Sequence, residues 1–250
     1  MMNRRMFGAG AAAAVLLGVP FLATATAQVP RAIADAVASP ERPEADKARD
    51  TDRRPAELLA FAGVRPGWEV AELAPGGGYF TRLLSLVVGE QGHVHANSSR
   101  PVPAVQTWAQ THPNVSVQMT TAGQVIAPEP VDLVWTTQNY HDFKNAKVGD
   151  GDAAAATNAA AFAALKPGGV YLVSDHQGAP GSGATQTSTL HRIEDAAVIR
   201  EVEAAGFRLE ARSDILRHPA DDHMQKVFET GLRGKTDQFV LRFRKPATAR

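Results

Sequence analysis

The chain contains no cysteine among its 250 residues. This absence excludes a disulfide framework and a lipid anchor attached through cysteine. An excess of basic residues is also missing, since 26 lysines and arginines balance 26 aspartates and glutamates. No basic stripe is interleaved with aromatic residues, which disfavours nucleic acid as a partner. The fold must therefore be held by an apolar core, and the chain is long enough for one α/β domain.

The N-terminus has the pattern of a cleavable export signal. Arg4 and Arg5 supply the charged start, Gly8–Leu22 is apolar and rich in alanine, and Ala25-Thr26-Ala27 has the small residues of a cleavage site. The arginine pair is typical of the twin-arginine export route. We therefore expect residues 1–27 to be removed, and the mature protein to be periplasmic or secreted without a stable membrane anchor.

The remaining sequence divides into an N-terminal arm and one domain. Residues 28–54 are rich in proline, alanine and charge, and they predict an arm with one helix. From residue 55 to residue 245, apolar runs of strand length alternate with helical stretches. The run Val131–Thr136 is typical of a strand buried on both faces. This alternation predicts a doubly wound α/β domain with a mostly parallel sheet, and the last two β segments predict an antiparallel edge strand.

A glycine-rich turn follows the first predicted strand, in the stretch VAELAPGGGYFTRL (Val70–Leu83). Ligands of doubly wound sheets bind at the carboxyl ends of the strands, where this turn lies. Its three glycines give the backbone freedom that a close ligand requires, although an ordinary strand-to-helix turn is the alternative. A dinucleotide fingerprint needs a third spaced glycine, which Thr81 replaces, and an acid about twenty residues later. NAD is therefore disfavoured.

The run Glu72-Leu73-Ala74-Pro75-Gly76-Gly77-Gly78 resembles the first motif of class I S-adenosylmethionine-dependent methyltransferases, an acid-x-G-x-G-x-G pattern. The resemblance extends over residues 55–245 and includes LKPGG (165–169) and EVEAAGF (201–207). The phrases APGGGYFT, YHDF, TLHRI and GKTDQFVLRF are similar to a group of exported bacterial predicted methyltransferases. The resemblance implies a seven-stranded Rossmann-like sheet, S-adenosylmethionine as cofactor, and methyl transfer to a small-molecule nucleophile.

The same resemblance implies which residues contact the cofactor. An acid at the end of the first strand would orient the amino-acid part, and the glycine turn would allow close approach. An acid that normally grips the ribose is replaced here by a neutral side chain at Asn97 or Ser98, and such a side chain hydrogen-bonds more weakly. Alanine at position 74 is a second departure from the motif. The predicted cofactor-binding residues are Glu72, Ala74, Gly76, Gly78, Tyr79, Asn97, Ser98 and Asn139.

Polar side chains also follow the fourth and fifth predicted strands. His141 is the predicted general base, because imidazole titrates near neutral pH, and Asp142 or Asp175 would orient it. His191 would close over the substrate from a flexible loop. A hydrogen-bonded structural role is the alternative for any single one of these histidines.

No metal ion is predicted from the sequence. A metal site is a less favoured alternative: suitable ligand types for a divalent ion are present at His141, Asp142, Asp175, His176 and His191, but the chain has no close-spaced ligand signature. A non-catalytic small-molecule-binding protein on a degenerate methyltransferase fold is the main alternative to an enzyme, and a metal-dependent hydrolase is the third. The weakened ribose contact and the export signal favour that main alternative. The substrate and the oligomeric state cannot be derived from the sequence.

Overall fold

Strands and helices alternate along the chain in the computed structural model, which describes residues 29–247. The predicted export signal (1–27) lies outside this range. Within the range, no helix combines the length and the apolar character needed to cross a bilayer.

Nine helices and nine strands occur within the described range, and their bounds are as follows. The helices are α1 (Arg31–Ala38), α2 (Glu44–Lys47), α3 (Asp50–Arg53), α4 (Pro55–Ala62), α5 (Tyr79–Val88), α6 (Pro103–Ala109), α7 (Tyr140–Asn145), α8 (Ala153–Ala164) and α9 (Asp195–Ala204). The strands are β1 (Glu69–Leu73), β2 (His93–Ser98), β3 (Val115–Met119), β4 (Val131–Thr137), β5 (Lys147–Val148), β6 (Gly151–Asp152), β7 (Leu165–His176), β8 (Arg208–Ser213) and β9 (Gln238–Arg244).

Seven of these strands form one sheet in the order β3-β2-β1-β4-β7-β9-β8. Strand β1 is parallel to both its neighbours, with Val70 opposite Val94 on one side and Leu133 on the other. The predicted mostly parallel seven-stranded sheet is confirmed. Its antiparallel strand is β9, which lies one position in from the edge, between β7 and β8. The strand order reverses between β1 and β4, where such sheets bind ligands.

Both faces of the sheet are covered by helices and carry a hydrophobic cluster. Leu133 and Trp135 of β4 pack into the cluster beneath α1, α4 and α5, and Val134 packs into the cluster beneath α8 and α9. Successive strand residues point to opposite faces, so all three side chains are buried. The prediction that this strand is buried on both faces is confirmed.

The arm forms three helices, α1, α2 and α3, where the sequence predicted one, and it packs closely on the domain. Ile33 is fully buried in the cluster beneath α5. Asp46 forms a buried ion pair with Arg82, with 2.7 Å between Oδ2 and Nε. Because Arg82 also donates to the carbonyl of Gly77 at 2.8 Å, the arm supports the glycine turn from behind.

Candidate functional site

A cavity of about 480 Å³ opens at the carboxyl ends of β1, β2 and β4, where the strand order reverses. Its volume is within the range of small-molecule and cofactor sites. The wall consists of the turn after β1, the loops after β2 and β3, and the start of α7. The residues that line it include Leu73, Ala74, Gly76, residues 97–102, residues 120–124, Asn139, Asp142 and Phe143.

Gly76 and Gly78 of the glycine turn are in different surroundings, and each lacks a side chain for a different structural reason. Gly76 has φ +56° and lines the cavity, and a Cβ added there would meet no atom within 4 Å. Gly78 has φ +80° and does not line the cavity; an added Cβ would lie 2.9 Å from side-chain atoms of both Arg82 and Val105. Packing between α5 and α6 therefore gives Gly78 a structural reason to lack a side chain, and its predicted contact with a cofactor stays a prediction. Ala74 has φ +52°, where the methyltransferase motif has glycine.

Two further predicted cofactor residues lie behind the turn and do not line the cavity. Glu72 is buried beneath α5, where the Thr81 hydroxyl donates to its carboxylate. Burial raises the pKa of Glu72 to about 7, although Thr81 and nearby arginines oppose the shift. The Tyr79 hydroxyl donates to Asp50 at 2.6 Å, and its ring lies against Arg53. Neither side chain lines the cavity, and their contact with a cofactor stays a prediction.

Asn97 lies at the tip of β2, where the resemblance implied a contact with ribose. Its amide nitrogen donates to the carbonyl oxygens of His95 and Ile126 at 2.8 and 3.1 Å, and its side-chain oxygen accepts from the Ile126 backbone at 2.7 Å. The Ser98 hydroxyl donates to the Arg100 carbonyl at 2.7 Å. Both residues line the cavity, but their polar groups hold the loops around it. A ribose contact from these side chains would compete with these hydrogen bonds, and it stays a prediction.

The sequence analysis missed the exposed polar groups at the same strand tip. Ser99 and Arg100 both line the cavity and are exposed. Asn139 donates its amide to the carbonyl oxygens of Ala74 and Thr137, at 3.2 and 2.6 Å, and this leaves its side-chain oxygen as an acceptor. The only sequence signal for Ser99 and Arg100 was their position just after a strand.

His141 and Asp175 form a buried pair at the adjacent strand tips. Asp175 accepts from the His141 backbone at 2.7 Å, from His141 Nδ1 at 2.9 Å and from the His176 backbone at 2.7 Å. Burial alone would lower the pKa of His141, but the charge and hydrogen bonds of Asp175 outweigh it, so the pKa lies above its ordinary value. Burial would raise the pKa of Asp175, and the same interactions lower it below its ordinary value.

The opposite edge of the His141 ring, which carries Nε2, points to the side chains of His191 and Asp142. Its Nε2 lies 3.3 Å from Nδ1 of His191 and 3.5 Å from Oδ1 of Asp142. His176 is separate from this group, because its Nδ1 is hydrogen-bonded to Thr236 at 2.7 Å. Burial lowers the pKa of His176 to about 4, so this imidazole is neutral. The structure thus brings Asp175, His141, Asp142 and His191 together.

A buried ion pair fixes the loop that carries His191. The neighbouring residue Arg192 donates two hydrogen bonds to Asp221, at 2.8 and 3.0 Å, and both side chains are almost fully buried. Arg192 also donates to the carbonyl oxygens of Gln177 and Gln225. Asp221 is therefore part of the buried interior and not of a solvated loop.

No protein-family model matches the chain, and no curated protein matches it in sequence. Solved structures do match its fold. A SAM-dependent methyltransferase from Aquifex aeolicus is 18% identical with a TM-score of 0.56, and the match covers 82% of this chain and 98% of that one. The 1,6-didemethyltoxoflavin-N1-methyltransferase from Burkholderia thailandensis, solved with S-adenosylhomocysteine, is 18% identical with a TM-score of 0.54, over 80% and 79% of the two chains.

A third similar structure has a different activity. The (4+2)-cyclase SpnF is 16% identical with a TM-score of 0.57, and the match covers 82% of each chain. At these identities the likeness concerns the fold, and many functions can occur on one fold. The chain has the class I methyltransferase fold.

Proposed function

We propose that this protein transfers the methyl group of S-adenosylmethionine to a small-molecule nucleophile. The observation that carries the proposal is the cavity at the strand-order reversal, with the open Gly76 turn on its wall. Similar solved structures support it, because one is a SAM-dependent methyltransferase and another was solved with S-adenosylhomocysteine. The cavity has the volume and the mixed polar and apolar wall of a cofactor site.

The residues that line the cavity fit this cofactor, but without an acid for the ribose. The backbone from Ala74 to Gly76 would lie against it, and the Asn139 side-chain oxygen would accept a hydrogen bond from it. Because the Asn97 amide is committed to Ile126, the exposed Ser99 and Arg100 side chains are the remaining groups for the ribose. When bound, the cofactor supplies a methyl group activated by its sulfonium.

His141 is proposed to accept the proton that the methyl acceptor loses. Asp175 holds Nδ1, so Nε2 is the nitrogen that can take a proton. Asp142 connects the pair to the cavity, because it lies 3.5 Å from Nε2 and also lines the cavity wall. A positioned base of this kind contributes about 10²- to 10⁴-fold to a rate.

Replacement of Gly76 by valine tests the position of the cofactor. The added side chain would extend into the cavity, so we expect the affinity for S-adenosylmethionine to fall at least about tenfold, as when a filled site is overpacked. Calorimetric titration measures the affinity. Gly63→Val is the matched control, because Gly63 also has a left-handed φ of +78° and open space but does not line the cavity.

Both variants carry the strain of a β-branched residue at positive φ. Their free energies of unfolding should therefore fall by similar amounts, whereas only Gly76→Val should lose affinity. Equal affinity in the two variants would place the cofactor elsewhere.

A binding or non-methylating protein on the same fold is the second candidate. The Asn97 side chain favours this candidate, because its amide is hydrogen-bonded to the backbone of His95 and Ile126 and the usual charged ribose contact is missing. The similar cyclase also supports it, because that protein is not named for methyl transfer. Incubation with S-adenosylmethionine carrying a labelled methyl group, across oxygen, nitrogen and sulfur acceptors, separates the candidates. Tight cofactor binding without label transfer would favour the second candidate.

A further inference from the structure

We infer that His141, Asp142 and His191 form a binding site for one divalent transition-metal ion, and we call these residues the metal triad. His141 Nε2 is 3.3 Å from His191 Nδ1 and 3.5 Å from Asp142 Oδ1, and the last two atoms are 3.9 Å apart. All three ligand atoms lie within 4.8 Å of one another.

The triangle formed by these atoms has the size that a metal ion requires. From those three separations, the point equidistant from the atoms lies about 2.1 Å from each, and zinc bonds to histidine nitrogen and carboxylate oxygen are about 2.0–2.2 Å long. An ion could therefore enter the triad with little movement of the side chains. In the part of the chain that the structure describes, no basic group other than these two imidazoles pairs with the Asp142 carboxylate.

The surroundings of His141 match those of a metal ligand. Metal-binding histidines donate their second ring nitrogen to a carboxylate or carbonyl, which fixes the ring and its tautomer. Asp175 accepts from Nδ1 of His141 at 2.9 Å and is itself fully buried. The proton therefore resides on Nδ1, and the lone pair of Nε2 is directed toward His191 and Asp142.

His191 is held against the triad at a conformational cost. Its φ is +56°, which non-glycine residues adopt rarely and mainly where the surrounding structure enforces it. The enforcing structure is adjacent, because the next residue, Arg192, is anchored by its buried pair with Asp221. Such backbone strain is concentrated at functional sites.

The ligand atoms of the metal triad and the charge of the nearby aspartates determine which class of metal ion would bind. Two imidazoles and one carboxylate suit zinc, iron, cobalt or nickel, whereas magnesium and calcium prefer oxygen ligands. Asp142 and Asp175 together carry two negative charges, which balance a divalent cation. Three protein ligands leave a coordination position open, as in catalytic metal sites. The side chains of Asp142 and His191 are 51% and 31% exposed, so a small molecule can reach that position.

The metal site does not depend on methyl transfer. In its absence, the 3.3 Å contact between His141 and His191 is an ordinary hydrogen bond. With an ion present, His141 no longer takes the proton of an acceptor, because its lone pair is used. The ion would then lower the pKa of an acceptor group bound to it. A bound ion would therefore replace His141 in its proposed role as base, but it would leave the proposed methyl transfer itself in place, so metal binding and methyl transfer can be tested separately.

Titration of the full chain with Zn²⁺, without a histidine tag and without S-adenosylmethionine, tests the proposal. We expect one ion per chain, measured by elemental analysis after dialysis, and an affinity measured against a competing chromophoric chelator. Removal of a residue that only hydrogen-bonds to a metal ligand lowers metal affinity about 10- to 100-fold. Because His191→Ala removes a ligand itself, it should lower the Zn²⁺ affinity by at least about 100-fold. Mg²⁺ should bind far more weakly than Zn²⁺.

His112→Ala is the matched control, because His112 also has a carboxylate partner, Glu41 at 3.2 Å, but lies outside the triad. Its Zn²⁺ affinity should equal that of the unchanged protein. Asp142→Asn provides a second test if His191→Ala folds poorly by circular dichroism, and it should also lose affinity. Absence of stoichiometric Zn²⁺ binding, or equal affinity in the triad and control variants, would overturn the proposal. If the unchanged protein binds Zn²⁺ but transfers no methyl group, only the proposed function would be overturned.

Discussion

Replacement of Arg192 by methionine is expected to lower the free energy of unfolding by about 3–5 kcal/mol, because it removes one partner of a buried ion pair. The side chains of Arg192 and Asp221 are 0% and 1% exposed, and two hydrogen bonds join them. Methionine keeps much of the buried volume but leaves the Asp221 carboxylate without its counter-charge. Equilibrium unfolding in urea measures the loss.

Arg200→Met is the control for this prediction. Arg200 is exposed on α9 and donates only to the Ala196 carbonyl of its own helix within the described chain, so its replacement should change stability by less than about 0.5 kcal/mol. The Arg192 variant should also bind Zn²⁺ more weakly than the Arg200 variant, because the loop that positions His191 loses its anchor. A loss below 1 kcal/mol in Arg192→Met would contradict the structural role of the pair.

Replacement of Glu72 by glutamine is expected to change how stability depends on pH. Burial raises the pKa of Glu72 from an ordinary value of 4.5 to about 7 in the folded chain. The folded state therefore retains a proton that the unfolded state releases between these values. The stabilisation that this bound proton gives is complete below pH 4.5, falls as the pH rises, and is lost above pH 7. The total loss is about 3 kcal/mol.

Glutamine has nearly the same shape but cannot ionise. The difference in unfolding free energy between the Gln variant and the unchanged protein should therefore increase by about 3 kcal/mol, in favour of the variant, from pH 4.5 to pH 8. Urea unfolding at a series of pH values measures this difference. Glu90→Gln, at an exposed position, controls for the removal of a carboxyl group. A constant difference for Glu72→Gln would show that the arginines near Glu72 keep it ionised throughout.

Much of the fold could be predicted because its signals are local. Helix α5 begins directly after the glycine turn, within the part of the chain where helical stretches were predicted to alternate with strands. The apolar run in β4 is sufficient to indicate burial on both faces, since adjacent residues on a strand point in opposite directions. The short helix α7 and the helices of the arm were less predictable, because their stability comes from tertiary packing.

The sequence also indicated which residue types would gather at one edge of the sheet, but it could not decide which atoms face a ligand. Asn97 occupies the position that the motif implies, yet its amide is used by Ile126, which lies 29 residues away. Gly78 belongs to the motif, yet the side chains of Arg82 and Val105 determine that it must be glycine. Hydrogen bonding and packing of this kind depend on distant segments and leave no local pattern.

By itself, the sequence determined the alternation of strands and helices, the position of the glycine turn and the polar character of the strand tips. These features follow from periodicity and backbone freedom, which are properties of neighbouring residues. Only the tertiary structure decided that His191 meets His141, which is 50 residues earlier. The physical reason is that the Arg192–Asp221 pair holds the His191 loop, while the adjacent strands β4 and β7 set Asp175 beside His141.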